Sequence, residues 1–433
     1  MKVGFVSLGC SKNLVDTEMM IGMWKKHGFE IVAEPEKADI ILVNTCGFIE
    51  SAKEEAINTI LEMSKYKKDA NCRYLIATGC LVKRYKDDLV KAIPEVDLWI
   101  ANDEYDDFWN KIQKLLKENN IEDANLDYYN RVITTGKKTA YLKVAEGCSN
   151  CCTYCSIPAI RGPFISRKME DVLKETEELA EKGYEEIIVI AQDTTKYGID
   201  LYGESKLAEL LNKISKIDGI RWIRFLYAYP ESITDKLIEE VKNNSKICKY
   251  FDIPIQHISN KILRKMNRKT NSESILNLIN KIRKEIPDVI LRTSLIVGFP
   301  GENEEDFEEL YDFVKKVKFD KLGVFKYSKE DGTPAALMTE QVHPQTKKKR
   351  YRKIMELQQE ISKEKMKAKI GNKYEVLLEN TTFDGKYFIG RSRMDVPEMD
   401  GVIFVKTNEK YRIGDFIKCK ITGISGDYDL IGE

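Results

Sequence analysis

The sequence predicts an α/β chain in three parts: an N-terminal parallel α/β domain, a central partial (βα)6 barrel and a C-terminal small β-barrel. Three observations predict it. Over the first hundred residues short apolar runs alternate with amphipathic stretches, the rhythm of a parallel sheet. From about Thr139 six apolar runs follow, each trailed by a helical pattern. The last 60 or so residues switch to short strands separated by Gly, Asp and Asn turns.

In the first part VGFVSL, ADIILVN and YLIATG read as strands, with helices near residues 14 to 28, 50 to 66 and 83 to 92. Residues 103 to 138 are polar, and NNIEDANLDYYN and TTGKK within them read as a connector, so this domain is placed at 1–125. The barrel, at 139–345, takes its strands from AYLKVAE, EEIIVIAQD, RWIRFLY, KYFDIPIQ, VILRTSLIVGF and KLGVFKYS. Its working face is expected at the C-terminal strand ends. QTKKKRYRKIMELQQEISKEKMKAK has no Gly or Pro and reads as a basic helix over 346–369, a solvated linker in preference to a substrate-binding arm. YEVLLEN, KYFIGRS, GVIFVKT, FIKCKITG and YDLIG complete the chain as five strands over 370–433.

Lys+Arg and Asp+Glu number 70 each, so the whole chain lacks the basic excess of many nucleic-acid binders. MKVGFVSLGC has the wrong length and order for a signal peptide, and no run approaches the ~18 apolar residues of a membrane span. A cytosolic protein without a membrane partner is expected. Ten cysteines there point to metal binding or thiol chemistry rather than disulfides. The three histidines, His27, His257 and His343, stand at no zinc-finger spacing, which leaves thiolate-only ligation, by iron-sulfur or structural zinc.

In EGCSNCCTYCSIP, Cys148, Cys152 and Cys155 form C-x3-C-x2-C directly after a strand. Three thiolates on one loop hold three corners of a four-iron cluster and leave one iron open. Structural zinc would normally close its shell with a fourth ligand, and no matching second pair follows. Cys151 offers alternative spacings, but adjacent residues point differently, and only Cys152 gives the three-plus-two spacing with Tyr154 just before Cys155. This pattern resembles the radical S-adenosylmethionine superfamily. The resemblance implies that the open iron binds S-adenosylmethionine and that an electron from the cluster releases a 5′-deoxyadenosyl radical.

Two further segments fit. In LIVGFPGENEEDF, Gly298 and Gly301 permit close backbone approach and Glu302 is a candidate acceptor for a ribose hydroxyl; the alternative is a turn with a helix N-cap. In AQDTTKYG, Gln192 and Asp193, with Thr194, are candidate acceptors for the methionine amino group, with a plain strand-to-helix turn as the alternative. No catalytic acid or base stands out.

Cys10, Cys46 and Cys80 each fall at the C-terminal end of an expected parallel strand, in SLGCSKN, NTCGFIE and ATGCLVK. Such ends converge on one crevice in an open α/β sheet, and the small flanking residues suit a backbone folded closely around a second cluster. Any one of them alone reads as a buried apolar cysteine; Cys72, Cys248 and Cys419 lack this context and read as core or surface residues.

With this trio the chain resembles the methylthiotransferases over essentially its whole length. The resemblance implies two [4Fe-4S] clusters with S-adenosylmethionine, a sulfur donor, an electron donor such as flavodoxin or ferredoxin, and a TRAM-like C-terminal barrel. Its LGCSKNLVDTE, AQDTTKYG and IPIQHISNKILRKMNR resemble the branch that modifies an aspartate of small-subunit ribosomal protein twelve, rather than the branch acting on adenosine in transfer RNA. The segment 371–433 carries 9 Lys and Arg against 11 Asp and Glu, and this slight acidity suits a basic protein better than RNA. The rival readings are transfer-RNA methylthiolation and a non-catalytic, metal-holding protein that binds RNA or a ribosomal partner.

Overall fold

The computed structural model describes residues 1–117, 126–407 and 409–433. The first part of the expected connector NNIEDANLDYYN, and the domain limit at 125, lie outside the described residues. The N-terminal part runs β1 (Lys2–Ser7), α1 (Ser11–Lys26), β2 (Glu30–Val32), β3 (Ile40–Thr45), α2 (Glu50–Ser64), α3 (Tyr66–Asp69), β4 (Tyr74–Gly79), α4 (Cys80–Ala92), β5 (Leu98–Ala101) and α5 (Phe108–Leu116). Its strands are all parallel, in the order β2-β1-β3-β4-β5. Every residue of β3, IILVNT, is buried, as expected of a central strand covered on both faces.

The polar reading of residues 103 to 117 is corrected. A turn of 3-10 helix leads into α5, whose Phe108, Trp109 and Ile112 are buried against Met20, Trp24 and Ile40. Trp109 meets Trp24 edge to face at 5.2 Å. Only a handful of apolar residues, set in charged sequence, carry that helix.

The central part contains β6 (Thr139–Lys143), β7 (Ala145–Glu146), α6 (Ile157–Arg161), β8 (Ile165–Ser166), α7 (Met169–Glu181), β9 (Glu186–Ile190), α8 (Ile199–Tyr202), α9 (Leu207–Ser215), β10 (Trp222–Phe225) and α10 (Asp235–Asn243). It continues with β11 (Tyr250–Asp252), α11 (Asn260–Lys265), α12 (Ser272–Glu285), β12 (Ile290–Val297), α13 (Glu304–Val317), β13 (Lys321–Lys326) and α14 (Pro344–Lys367). Two three-stranded parallel sheets, β10-β9-β6 and β11-β12-β13, are joined by a parallel bridge between Ile223 and Ile247. The six strands therefore form one open arc.

Helix α14 is no solvated linker. Ile354, Leu357 and Ile361 join the barrel core, and buried Arg350 pairs with Glu302 at 2.9 Å. Its charged residues occupy the other face, so composition alone hid a stripe at helical spacing.

The C-terminal strands β14 (Lys373–Thr381), β15 (Phe388–Ser392), β16 (Ile403–Val405), β17 (Phe416–Ser425) and β18 (Asp429–Gly432) close a barrel in the order β14-β15-β16-β18-β17. It docks at the N-terminal ends of the central strands. Arg391 pairs with Glu186 at the start of β9, at 2.5 Å, and Phe416 meets Trp222 of β10 edge to face. Leu377 and Val396 pack with Tyr141, Ile188 and Leu226, and Val15 of α1 joins the same apolar group. That packing leaves the opposite strand ends to the cysteine loops. Among the described residues no helix is long and apolar enough to cross a membrane.

Candidate active site

Cys10 ends the loop after β1 and caps α1, Cys46 follows β3, and Cys80 opens α4 after β4. Because β1, β3 and β4 are neighbours, their C-terminal ends bring the three thiols to one crevice, and the order reverses between β1 and β3, where open α/β sheets bind ligands. Two glycines make the approach possible. A Cβ on Gly9, whose φ is +88, would lie 2.6 Å from Cys46 Cβ, and one on Gly47 would lie 2.6 Å from Leu81 Cα.

Arg161, at the end of α6, reaches across from the barrel and donates to Cys80 Sγ at 3.4 Å. Burial pushes the Cys46 and Cys80 thiols up, Cys80 to about 11, against the pull of Arg161. Cys10 is exposed. Burial by surrounding protein raises its thiol too, but Lys12, Arg161 and the backbone N–H groups of Asn13 and Lys12 outweigh that and leave it lowered.

On the second loop Cys148 and Cys152 are buried and Cys155 half-buried. The loop is pinned by the segment after α11: Thr153 N donates to Met266 O at 3.1 Å and Asn267 Nδ2 to Cys151 O at 2.9 Å. Cys151 has φ +53, is exposed, and keeps its thiol 3.7 Å from Ser149 O. Cys152 turns inward, 3.9 Å from Tyr229 Oη and 4.0 Å from Arg268 Nη1. Burial raises the Cys148 thiol, and raises Cys155 to about 12.

The other candidate residues fall into two sets. Tyr154, beside Phe299, has a buried hydroxyl without a protein partner, and so has the Gln192 side-chain carbonyl. Gln192 donates through Nε2 to Glu146 Oε1 at 3.1 Å. Asp193 accepts from Asn150 at 2.8 Å and from Thr195 at 2.5 Å, and burial raises its carboxyl. These three stand at the cysteine face. Gly298 and Gly301 have positive φ, but protein side chains approach them: Lys347 at Gly298, and Lys265 with Glu340 at Gly301. Glu302 accepts from Gly298 N at 2.6 Å, Phe299 N at 3.1 Å and Arg350 at 2.9 Å, so its carboxylate is occupied within the protein. Burial nevertheless lifts it to about 7.

Sequence reasoning passed over the residues that join the two cysteine groups. Buried Asp16 of α1 pairs with Lys143 of β6 and, at 2.7 Å, with Arg161, and Glu146 takes the same two cations. Burial opposes the Glu146 charge, but Lys143 and Arg161 hold its carboxyl well below the usual carboxylate range. Arg161 also donates to Asn13 Oδ1 at 3.1 Å. After β10, Tyr227 lies under Lys12 while Tyr229 faces Cys152, so one three-residue segment touches the surroundings of both thiol groups. Position was the available signal: Arg161 ends the cysteine loop and Tyr227 ends a barrel strand.

These residues fit two sulfur-ligated clusters and an aminoacyl nucleoside. The donors are thiols without histidine, and cations face both sets. Buried polar atoms of Tyr154, Ser156 and Gln192 await partners. Among the described residues no three His, Cys, Asp or Glu side chains gather around a single metal ion. A four-iron cluster gives each thiolate its own iron and sets its ligands farther apart than one ion does.

Three family models match the chain: the radical SAM superfamily over residues 142–314, the uncharacterized protein family UPF0004 over 2–101, and the TRAM domain over 370–433. Ribosomal protein uS12 methylthiotransferase RimO of Alkaliphilus oremlandii is 61% identical over 100% of this chain and 99% of its own length. The chain belongs to the RimO family. The RimO of Clostridium botulinum strain Hall is 54% identical over 100% of this chain and 97% of its own. Membership in a radical SAM family of this kind brings S-adenosylmethionine and [4Fe-4S] clusters as cofactors. Among solved structures, the radical S-adenosylmethionine methyltransferase TsrM from Kitasatospora setae, with cobalamin and a [4Fe-4S] cluster bound, aligns with a TM-score of 0.58 at 13% identity, over 78% of this chain and 77% of its own. The cobalamin-dependent radical enzyme OxsB aligns with a TM-score of 0.52 at 15% identity, over 84% of this chain and 56% of its own. Both likenesses concern the fold alone, which a RimO-family chain thus shares with distant radical enzymes.

Proposed function

We propose that this chain methylthiolates the β-carbon of an aspartate in ribosomal protein uS12, with Cys148, Cys152 and Cys155 holding one [4Fe-4S] cluster and Cys10, Cys46 and Cys80 holding the other. The observation that supports the reading is the segment Tyr227–Tyr229, whose first ring meets Lys12, two residues from Cys10, and whose last hydroxyl faces Cys152. The bound cofactors supply the radical that takes a hydrogen atom and the sulfur and methyl that replace it.

The protein's own residues bind, orient and exclude water. Tyr154, Gln192 and Asp193 line the barrel face beside the first thiol group and offer contacts to S-adenosylmethionine there. Arg161 and Lys12 balance the charge of the second group, and Arg268 that of the first. The tyrosines after β10 set aromatic rings beside both thiol groups. A cytosolic electron donor such as flavodoxin or ferredoxin, and a separate sulfur donor, complete the requirements.

Mass spectrometry of uS12 and transfer RNA from a strain lacking this gene tests the proposal. We expect uS12 to lose a methylthio group while transfer RNA is unchanged; a loss confined to transfer RNA would overturn it. The loaded chain should contain about eight irons, two four-iron clusters. Replacing Cys46 by Ala should halve the iron and spare S-adenosylmethionine cleavage, measured as 5′-deoxyadenosine. Loss of both activities with one substitution would contradict this division of labour.

A further inference from the structure

Lys12, in the first turn of α1, is 7% exposed. Its ammonium stands 3.4 Å from the centroid of the Tyr227 ring. Every other cation at this junction has a carboxylate: Asp16 and Glu146 are both shared between Lys143 and Arg161. Among the described residues no Asp or Glu pairs with Lys12, and the first turn of α1 carries no acidic residue. A buried ammonium that has the Tyr227 ring and the Cys10 thiol beside it but no carboxylate keeps room for an anion, because a cation–π contact offsets part of the desolvation and a carboxylate offsets far more.

Its placement is fixed from both sides. Cys10, two residues earlier, belongs to the N-terminal thiol group. Tyr227 has φ +62 and is held there, its N–H donating to Asp252 at 3.0 Å and its carbonyl accepting from Thr194 N at 3.1 Å. The Tyr227 backbone is therefore anchored on both sides in a conformation that residues other than glycine rarely adopt.

We propose that the Lys12 ammonium receives the carboxylate of the substrate aspartate over the Tyr227 ring, between the two thiol groups. This rests on the aspartate reading above. The pairing holds the side chain's end and leaves its β-carbon free toward the crevice. It is also a specificity device: an asparagine of the same shape brings no charge and leaves the ammonium unpaired. The carboxylate of S-adenosylmethionine is the rival anion for this ammonium, and the test separates the two.

The test uses the anaerobically loaded full chain and labelled uS12, as wild type and with its target aspartate replaced by Asn, with affinities read by fluorescence anisotropy. Wild-type enzyme should favour the aspartate form by roughly 10- to 100-fold, the worth of a charge-assisted hydrogen bond. Lys12→Met, which keeps the apolar stem, should bind both forms alike at the asparagine level when compared with wild type at matched iron content, with S-adenosylmethionine affinity unchanged. Lys12→Arg should restore part of the preference. Equal binding of the two uS12 forms by wild type, a preference that survives in Lys12→Met, or a Lys12→Met defect confined to iron or S-adenosylmethionine would each overturn the proposal. Absence of any uS12 methylthiolation by wild type would instead overturn the reading on which it rests.

Discussion

Replacing Cys152 by Ala should reduce 5′-deoxyadenosine formation to background and remove about half the iron, one cluster of two, whereas Cys151→Ala should leave both unchanged. The two cysteines are chemically identical and adjacent, so the difference lies wholly in where the backbone sends them. Cys151 sits in the left-handed region, exposed, with its carbonyl held by Asn267. Cys152 is buried between Tyr229 and Arg268, its thiol turned into the protein. Losing one small buried side chain costs little packing, and Cys152→Ala should therefore remain folded by circular dichroism. Equal loss of iron in both variants would show that the loop rearranges on loading and that spacing does not select the ligand.

Much of this architecture is legible in sequence because it is local. Six barrel strands show as apolar runs followed by helical patterns, and the C-x3-C-x2-C loop lies within eight residues of its own chain. The strand-end cysteines are legible for a related reason: parallel topology turns three similar local contexts into one crevice. What escapes is pairing over distance. Asp16 reads as one more polar residue of an amphipathic helix until Lys143 and Arg161 arrive from the barrel. Glu302 reads as a free acceptor until Arg350 arrives from α14, a helix whose apolar stripe is masked by its lysines. The same holds for Lys12, whose ring partner, Tyr227, is far along the chain.

Arg161→Met should be the most damaging single change outside the cysteines, costing on the order of 3 to 5 kcal/mol in the metal-free protein, because it strips one partner from a buried ionic group. Asp16 would keep Lys143 alone, and Glu146, shared with Arg161 at 3.3 Å, would also lose a cation. The guanidinium does more than pair. It forks between Asp16, Asn13 Oδ1 and Cys80 Sγ, tying α1 and α4 of the first domain to α6 of the barrel. A lysine at 161 would supply the charge without the planar fork, so Arg161→Lys should recover part of the stability but leave Cys80 without its donor. Urea unfolding of the metal-free variants measures the first effect, and iron per chain after reconstitution measures the second. We expect Arg161→Met to fall to about four irons, one cluster, by losing the set on Cys10, Cys46 and Cys80. A metal-free Arg161→Met protein as stable as wild type would mean that water or Lys143 meets the stranded carboxylates, and that the junction between the two thiol groups is held by its apolar contacts alone.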